Sequence, residues 1–354
     1  MRLVRFTDLT AAELDTWRML RASNPALESA YFDPAFAAAV QESGVDVSVA
    51  LDGRGPALTT LFAGQRSGAV LRPVGWPGAD FQGGVYAPRG ALDPRDLLVD
   101  GVREVSFDHW LLPAPAAERW IASRAISPYV EVGGGLDGYL ARASRSGRDN
   151  MAQARRRTAR AERDLGPLTF CAESGETDAL SWLIAQKRRQ YAATGARDHF
   201  AAVHRRELLA VLLAGRDPGC RGVLSTLRLG DTLVAAHFGL RAGPVLHWWF
   251  PVYDPAHAAL APGWMLLRQL TLAAPALGLT RIDLGRGDDE YKRRASTGAV
   301  EVGAGTVANG GLRRARHAAH RAAVGAARSS ALAPLLRQAV HAGRRLRQGA
   351  PGGR

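Results

Sequence analysis

Residues 222–250 read GVLSTLRLGDTLVAAHFGLRAGPVLHWWF. Three runs rich in leucine, β-branched and aromatic side chains, 222–229, 232–240 and 245–250, are separated by Gly230-Asp231 and by Arg241-Ala242-Gly243-Pro244. Gly-Asp between two such runs suits the positive φ angles of a two-residue hairpin, so the spacing predicts a three-stranded antiparallel meander. Upstream, the pattern predicts a strand at 168–172, a helix at 177–193 capped by Thr177 and a second helix at 201–214. Downstream, Ala261-Pro262-Gly263 opens an apolar helix that runs to Leu277, followed by a short strand at 281–284, a helical turn at 288–294 and a last strand at 299–307. This is a mixed α/β order, with a helix crossing over between the third meander strand and the next.

The first part of the chain alternates short strands and helices. Asp33-Pro34 places a capping carboxylate before proline at a first helical position. Strands are expected at 47–51, 57–63, 69–73, 102–107 and 129–132, and a helix at 114–124. Gly75-Trp76-Pro77-Gly78-Ala79-Asp80-Phe81-Gln82-Gly83-Gly84 is too rich in glycine and proline for an element interior and reads as a long shaped loop of the kind that lines clefts. Residues 136–165 read as one long basic helix, bent near Gly147, that bridges the two parts and carries Arg142, Arg145, Arg148, Arg155, Arg156, Arg157, Arg160 and Arg163. Its arginine stripe is either a solvated face or a cover over an anionic ligand.

At 354 residues and 47% hydrophobic side chains, the chain is long enough for two cored domains. Cys171 and Cys220 build no disulfide framework and have no metal-ligand spacing with the histidines, so no metal and a reducing compartment are expected. No signal-like or membrane-spanning run occurs, which points to a cytoplasmic protein. The net charge of +13 is concentrated after Glu301, where ten arginines and no acidic residue follow. That tail is either a pair of amphipathic helices, with Leu332, Leu335, Leu336, Val340 and Leu346 inward, or an arm for an anionic membrane, RNA or an acidic partner. No aromatic residues interleave its charge, which argues against nucleic acid.

Only two lysines, Lys187 and Lys292, occur among 46 basic residues. Where arginine serves nearly everywhere, a retained lysine marks a place that needs a compact, titratable ammonium. Both lie in polar clusters, Gln186-Lys187-Arg188-Arg189-Gln190-Tyr191 and Gly287-Asp288-Asp289-Glu290-Tyr291-Lys292. Lys187, Gln190 and Tyr191 fall at i, i+3 and i+4, one face of a helix, suited to lining an acceptor cleft.

The order of elements is that of GNAT acyltransferases. Five segments together, the Gln186-Lys187-x-x-Gln190-Tyr191-x-x-Thr194-Gly195 run, Val234-Ala235-Ala236-His237-Phe238-Gly239, His247-Trp248-Trp249-Phe250-Pro251-Val252-Tyr253-Asp254, Ala261-Pro262-Gly263 and Asp283-Leu284-Gly285-Arg286-Gly287-Asp288-x-x-Tyr291-Lys292, resemble the CelD-like acetyltransferases associated with cellulose and exopolysaccharide gene clusters. The resemblance covers most of the chain and implies tandem GNAT-like domains, similar to the Fem peptidyltransferases. On that reading 1–135 is a degenerate first domain, 136–165 the basic bridge, 166–309 the acyltransferase domain and 310–354 the Arg-rich helical tail.

The resemblance implies an acetyl-CoA or other acyl-CoA donor and a sugar-linked or amine acceptor for an envelope or extracellular polymer. The usual GNAT pyrophosphate loop is reduced here to Ala261, Pro262, Gly263, Trp264 and Met265. A helix start there still offers free amides and a positive dipole end to phosphates. Thioester transfer needs a neutral nucleophile, a donor to the oxyanion and a proton for the departing thiolate. His247 or Asp283 could take the nucleophile's proton. Tyr291 matches the tyrosine that commonly protonates sulfur in GNAT enzymes, and Lys292 could neutralise a phosphate. Trp248 and Asp288 join Lys187, Gln190 and Tyr191 as acceptor-side residues, while His237 reads as a hydrogen-bonded core histidine or a catalytic one. Two other functions stay open. One is Fem-like transfer from aminoacyl-tRNA, held by the basic helix and tail; the other is a non-catalytic scaffold of a polysaccharide-synthesis complex. If the tail meets an anionic membrane, the expected place of the cytoplasmic protein is the periphery of the inner membrane face.

Overall fold

The three runs around Gly230-Asp231 form the expected meander in the computed structural model, which describes residues 1–287 and 289–310. The expectations for Asp288 and for the tail beyond Gly310 fall outside the described residues. In chain order the first stretch contains β1 (Arg2–Arg5), α1 (Ala11–Ser23), α2 (Pro34–Glu42), β2 (Val47–Asp52), β3 (Thr60–Ser67), β4 (Val70–Pro73), β5 (Val85–Tyr86), β6 (Glu104–Leu111) and β7 (Ile121–Glu131). The second contains α3 (Gly135–Arg142), α4 (Arg145–Leu165), β8 (Leu168–Cys171), α5 (Thr177–Thr194), α6 (Val203–Ala214), β9 (Arg221–Leu229), β10 (Thr232–Ala242) and β11 (Val245–Tyr253). It closes with α7 (Pro262–Leu277), β12 (Arg281–Asp283), α8 (Glu290–Ala295) and β13 (Gly298–Ala308).

The strands form one mixed sheet in the order β1-β2-β3-β4-β6-β13-β7-β12-β11-β10-β9-β8, with β5 paired to β3. Each stretch ends its own ladder with a parallel pair, β4 with β6 and β11 with β12. The strands that follow are exchanged. β7, from the first stretch, pairs with β12, whereas β13, from the second, pairs with β6, and β7 and β13 pair with each other at the centre. A hydrophobic core on one face draws on both stretches, with Trp17, Phe36 and Leu61 packed in the same cluster as Leu183, Leu209 and Phe238. On the other face, α3, α4 and α7 cover β9 to β12 through Tyr139, Met151, Leu266 and Leu270.

Local chemistry explains where the elements start. Asp33 caps α2 by accepting from Ala35 N at 2.9 Å, with Pro34 at the first position as expected. Three readings are corrected. Residues 114–124 are not a helix: a 3-10 turn at Glu118–Trp120 leads into β7, because β13 offers a cross-strand partner that outweighs helix propensity. The long basic helix is two helices, broken at Ala143-Ser144, where the Ser144 side chain accepts from Gly147 N and restarts the chain as α4. At α5 the cap position is Glu176 without a side-chain bond, and Thr177 is the first helical residue.

Candidate active site

The site begins where two parallel strands part. β11 and β12 are in register only through Val245↔Arg281, Leu246↔Ile282 and His247↔Asp283. Beyond that point β11 continues to Tyr253 paired with β10 alone, while the chain after Asp283 turns away through Leu284 and Gly285. A gap between diverging parallel strands is where α/β sheets place ligands, and a cavity of about 830 Å³ opens there.

Four segments supply most of its walls. β11 contributes Trp248, Trp249 and Tyr253; α5 contributes Lys187 and Gln190; the start of α7 contributes Ala261, Gly263 and Trp264; the segment after β12 contributes Gly285, Asp289, Tyr291 and Lys292. Between the pairs Phe238↔Phe250 and Leu240↔His247, Gly239 of β10 faces two residues of β11, Trp248 and Trp249. This β-bulge re-aims both indoles and takes one β11 residue out of the ladder at the cavity wall.

Gly263 lies in the first turn of α7, and the space where a Cβ would project is open. Ala261, just before it, has a left-handed backbone with φ 52°, a conformation unfavourable for a side-chain-bearing residue. Pro262 has no N–H, and the Trp264 and Met265 amides both donate to Ala261 O, at 3.0 and 3.3 Å, so the Gly263 N–H is the amide of this turn left for a ligand, at the positive end of the helix. Pro262 and Met265 are buried behind it, Met265 in the core under α7.

Both lysines of the chain face this cavity. Lys187 Nζ donates to Gln190 Oε1 and to Pro251 O, both at 3.0 Å, and lies 5.9 Å from the centre of the Tyr191 ring. Burial, with the Lys292 charge adding, lowers its pKa to about 8. Tyr191 itself turns inward to pack on the core beside Phe200 and does not line the cavity. Lys292 Nζ donates to Gly285 O at 3.2 Å and Arg286 O at 2.9 Å and sits 3.6 Å from Asp289 Oδ2, so it closes the turn that carries Tyr291. Burial raises the Tyr291 hydroxyl pKa, and the Asp289 and Asp80 charges push the same way.

Sequence reasoning did not single out Asp80. It reaches the cavity from the Gly75–Gly84 loop, whose composition was the available signal, and it lies against Gly285, where a Cβ would come within 2.8 Å of Asp80 Oδ2. Gly285 has φ +73°, so both backbone and space require glycine there. Burial raises the Asp80 carboxyl pKa, opposed by His109, Lys292 and Arg286.

Two nominated proton acceptors are not brought to the cavity. His247 is fully buried; its Nε2 shares a 2.9 Å hydrogen bond with Ser29 Oγ and lies 3.7 Å from Asp283 Oδ2, with the Tyr31 and Phe81 rings over it. Asp283, only 1% exposed, is paired with Arg281 at 3.1 Å, and Arg281 also holds Glu28. Burial raises the Asp283 pKa to about 6. Strand alternation sends these side chains to the face that meets the first stretch of the chain, where they join the two stretches. His237 is also a core histidine, stacked 4.1 Å from the Trp248 ring with Nε2 donating to His247 O.

Burial lowers the pKa of His237 and of His247 to about 3. Each is therefore neutral in the fold and takes up a proton on unfolding below about 6.5. The stability this neutral form confers is present above pH 6.5 and is lost as pH falls towards 3. In urea titrations, the stability advantage of wild type over His247→Gln should shrink by about 2 kcal/mol between pH 7 and pH 5. A constant gap would mean that His247 is not held neutral.

Residues 146–293 match the family model described as an acetyltransferase (GNAT) domain. No curated protein matches the chain. Among solved structures, the chain resembles FemX with a TM-score of 0.58 at 9% identity, over 86% of this chain and 96% of that one. It also resembles the C-terminal DUF2156 domain of a putative lysylphosphatidylglycerol synthetase from Agrobacterium fabrum, with a TM-score of 0.53 at 13% identity over 88% and 96%. L-PGS from Bacillus licheniformis matches with a TM-score of 0.52 at 11% identity over 86% and 94%. At such identities the likeness is one of fold. The parallel pair that parts at His247 and Asp283 and the helix start facing the gap lie within the stretch, residues 146–293, that is similar to GNAT acetyltransferase domains, set in one mixed α/β sheet.

Proposed function

We propose that the chain is an acyltransferase that moves an acyl group from an acyl-CoA thioester to an amine or sugar-linked acceptor. One observation carries the reading: the gap between β11 and β12 gathers Tyr291, Asp80, both lysines and the open start of α7 around one cavity. The Gly263 amide and the positive end of α7 would receive the donor's phosphates, and the bulge at Trp248 and Trp249 would offer a backbone N–H to the thioester oxygen. The acceptor nitrogen attacks the carbonyl carbon, a C–N bond forms and the C–S bond breaks. Asp80 takes the proton from the nitrogen, a role its raised pKa suits, and Tyr291 gives its proton to the departing sulfur. His247 and Asp283 hold the parting strands from behind. In this reading 1–135 and 166–309 are tandem GNAT-like halves joined through 136–165. The resemblance to CelD-like proteins adds a polymer-linked sugar as the acceptor.

A second reading, transfer from aminoacyl-tRNA, is favoured by one feature: Arg155, Arg156, Arg160 and Arg163 of α4 are exposed on one helix. Thermal unfolding separates the two. At a concentration 100 times its Kd, CoA should stabilise the fold by about 2.7 kcal/mol and raise Tm by several degrees. Stabilisation by tRNA alone, falling steeply with salt, would replace the donor. No shift with either would favour the scaffold.

A further inference from the structure

We infer that Lys187 is an anion seat in the acceptor part of the cavity, with the charge of Lys292 beside it, and that the acceptor carries a phosphate or carboxylate group beside its nucleophile. The inference rests on the reading of this cavity as the acyl-transfer site. Two lysines among 46 basic residues would be unremarked on separate surfaces, but both line the same cavity although they are 105 positions apart in the chain. They are close enough for the charge of one to be felt at the other.

Their partners differ in a way that points to a ligand. Lys292 has a carboxylate, Asp289, beside it, together with two carbonyl oxygens. Lys187 has only the neutral oxygens of Gln190 and Pro251. No carboxylate of the described residues pairs with it, and an ammonium has three N–H bonds, so one remains for a ligand. The Asp289 charge reaches Lys187 but is itself paired with Lys292, and a half-buried ammonium with no ion-pair partner of its own is costly, a cost that a bound anion would offset. The other charged groups facing the cavity are Arg189, which adds positive charge at the rim, and Asp80 and Asp289. Asp289 is engaged with Lys292, and Asp80 lies against Gly285. Gln190, one turn from Lys187, holds the ammonium in place by accepting from it, and Tyr191 supports it from below.

The lysine count makes the test direct. Protein labelled with carbon-13 at lysine Cε gives two side-chain signals, and Lys187→Met assigns them by removing one. Wild-type protein is titrated with inorganic phosphate, acetate, an amino sugar phosphate, its neutral parent amino sugar, and CoA. The expected result is that phosphate or acetate, and the amino sugar phosphate, move the Lys187 signal and raise its titration midpoint by about one unit, as a nearby opposite charge does. The neutral amino sugar should leave it unmoved. In turnover with acetyl-CoA, Lys187→Met should raise KM for the anionic acceptor at least about tenfold more than KM for the neutral acceptor; equal effects on both would overturn the inference. A Lys187 signal that responds to CoA but to none of the other anions would assign the seat to the donor and overturn the inference. A signal that no anion moves, while CoA still raises Tm, would overturn it too and leave the acyltransferase reading standing. Failure of CoA to bind at all, with the phosphate response intact, would remove that reading instead.

Discussion

Tyr291→Phe should lower kcat by about 100-fold with KM for donor and acceptor changed less than about twofold, since general acid catalysis contributes on this scale. The substitution removes one oxygen and keeps the ring, which packs against the core formed by α7 and β12, so the fold should persist. Tyr291 lines the cavity, and its hydroxyl pKa is raised by burial and by Asp289 and Asp80, which keeps the proton on oxygen until a thiolate needs it. Steady-state rates at saturating acetyl-CoA, paired with a melting curve, make the measurement. Turnover equal to wild type in a folded variant would remove Tyr291 from the chemistry and leave sulfur to be protonated by solvent.

Gly239→Ala should destabilise the protein by about 3 kcal/mol or more, among the largest effects of adding a single methyl group. An added Cβ would lie 2.1 Å from His247 O and 2.6 Å from the His237 ring, and the first of these is backbone that cannot swing aside. Relief requires β10 and β11 to separate at the bulge that aims Trp248 and Trp249 into the cavity. Loss of stability and loss of CoA binding should therefore appear together, the first as a lowered urea midpoint and the second as a missing thermal shift. Gly175→Ala is the control, with no atom within 4 Å of the added carbon and no left-handed φ, and should change stability by less than about 0.5 kcal/mol. A Gly239→Ala midpoint as high as that of the control would mean that the bulge is not needed to hold the two strands.

The two lysines show how much of the site could be read before any coordinates. Their rarity and polar surroundings brought out Lys187 and Lys292 as residues under constraint, and both line the cavity. Ala261 and Gly263 were legible for a related reason, because proline and glycine at a helix start carry their conformational meaning locally. Tyr191 was placed correctly on the helix face of Lys187, but periodicity cannot tell the rim of a face from its buried side, and the ring belongs to the core.

His247 and Asp283 mark the limit more sharply. Alternation in β11 put His247 on one face of the strand, yet which face meets the cavity depends on what packs behind it, here Ser29, Tyr31 and Phe81 from far along the chain. Asp80 is the converse case, a single carboxylate in a glycine-rich loop that gains chemical meaning only when the loop folds over Gly285.

The chain's own pattern determined the meander, the crossover helix and its open start, and the clustering of polar groups at Lys187 and Lys292, because turn chemistry, helix starts and side-chain periodicity act over a few residues. Tertiary structure alone decided the exchange of β7 and β13, the burial of His247 with Asp283 and the arrival of Asp80 at the cavity. Those outcomes depend on contacts between residues scores of positions apart, where the free energy lies in shared core and paired edges and leaves no local mark in the sequence.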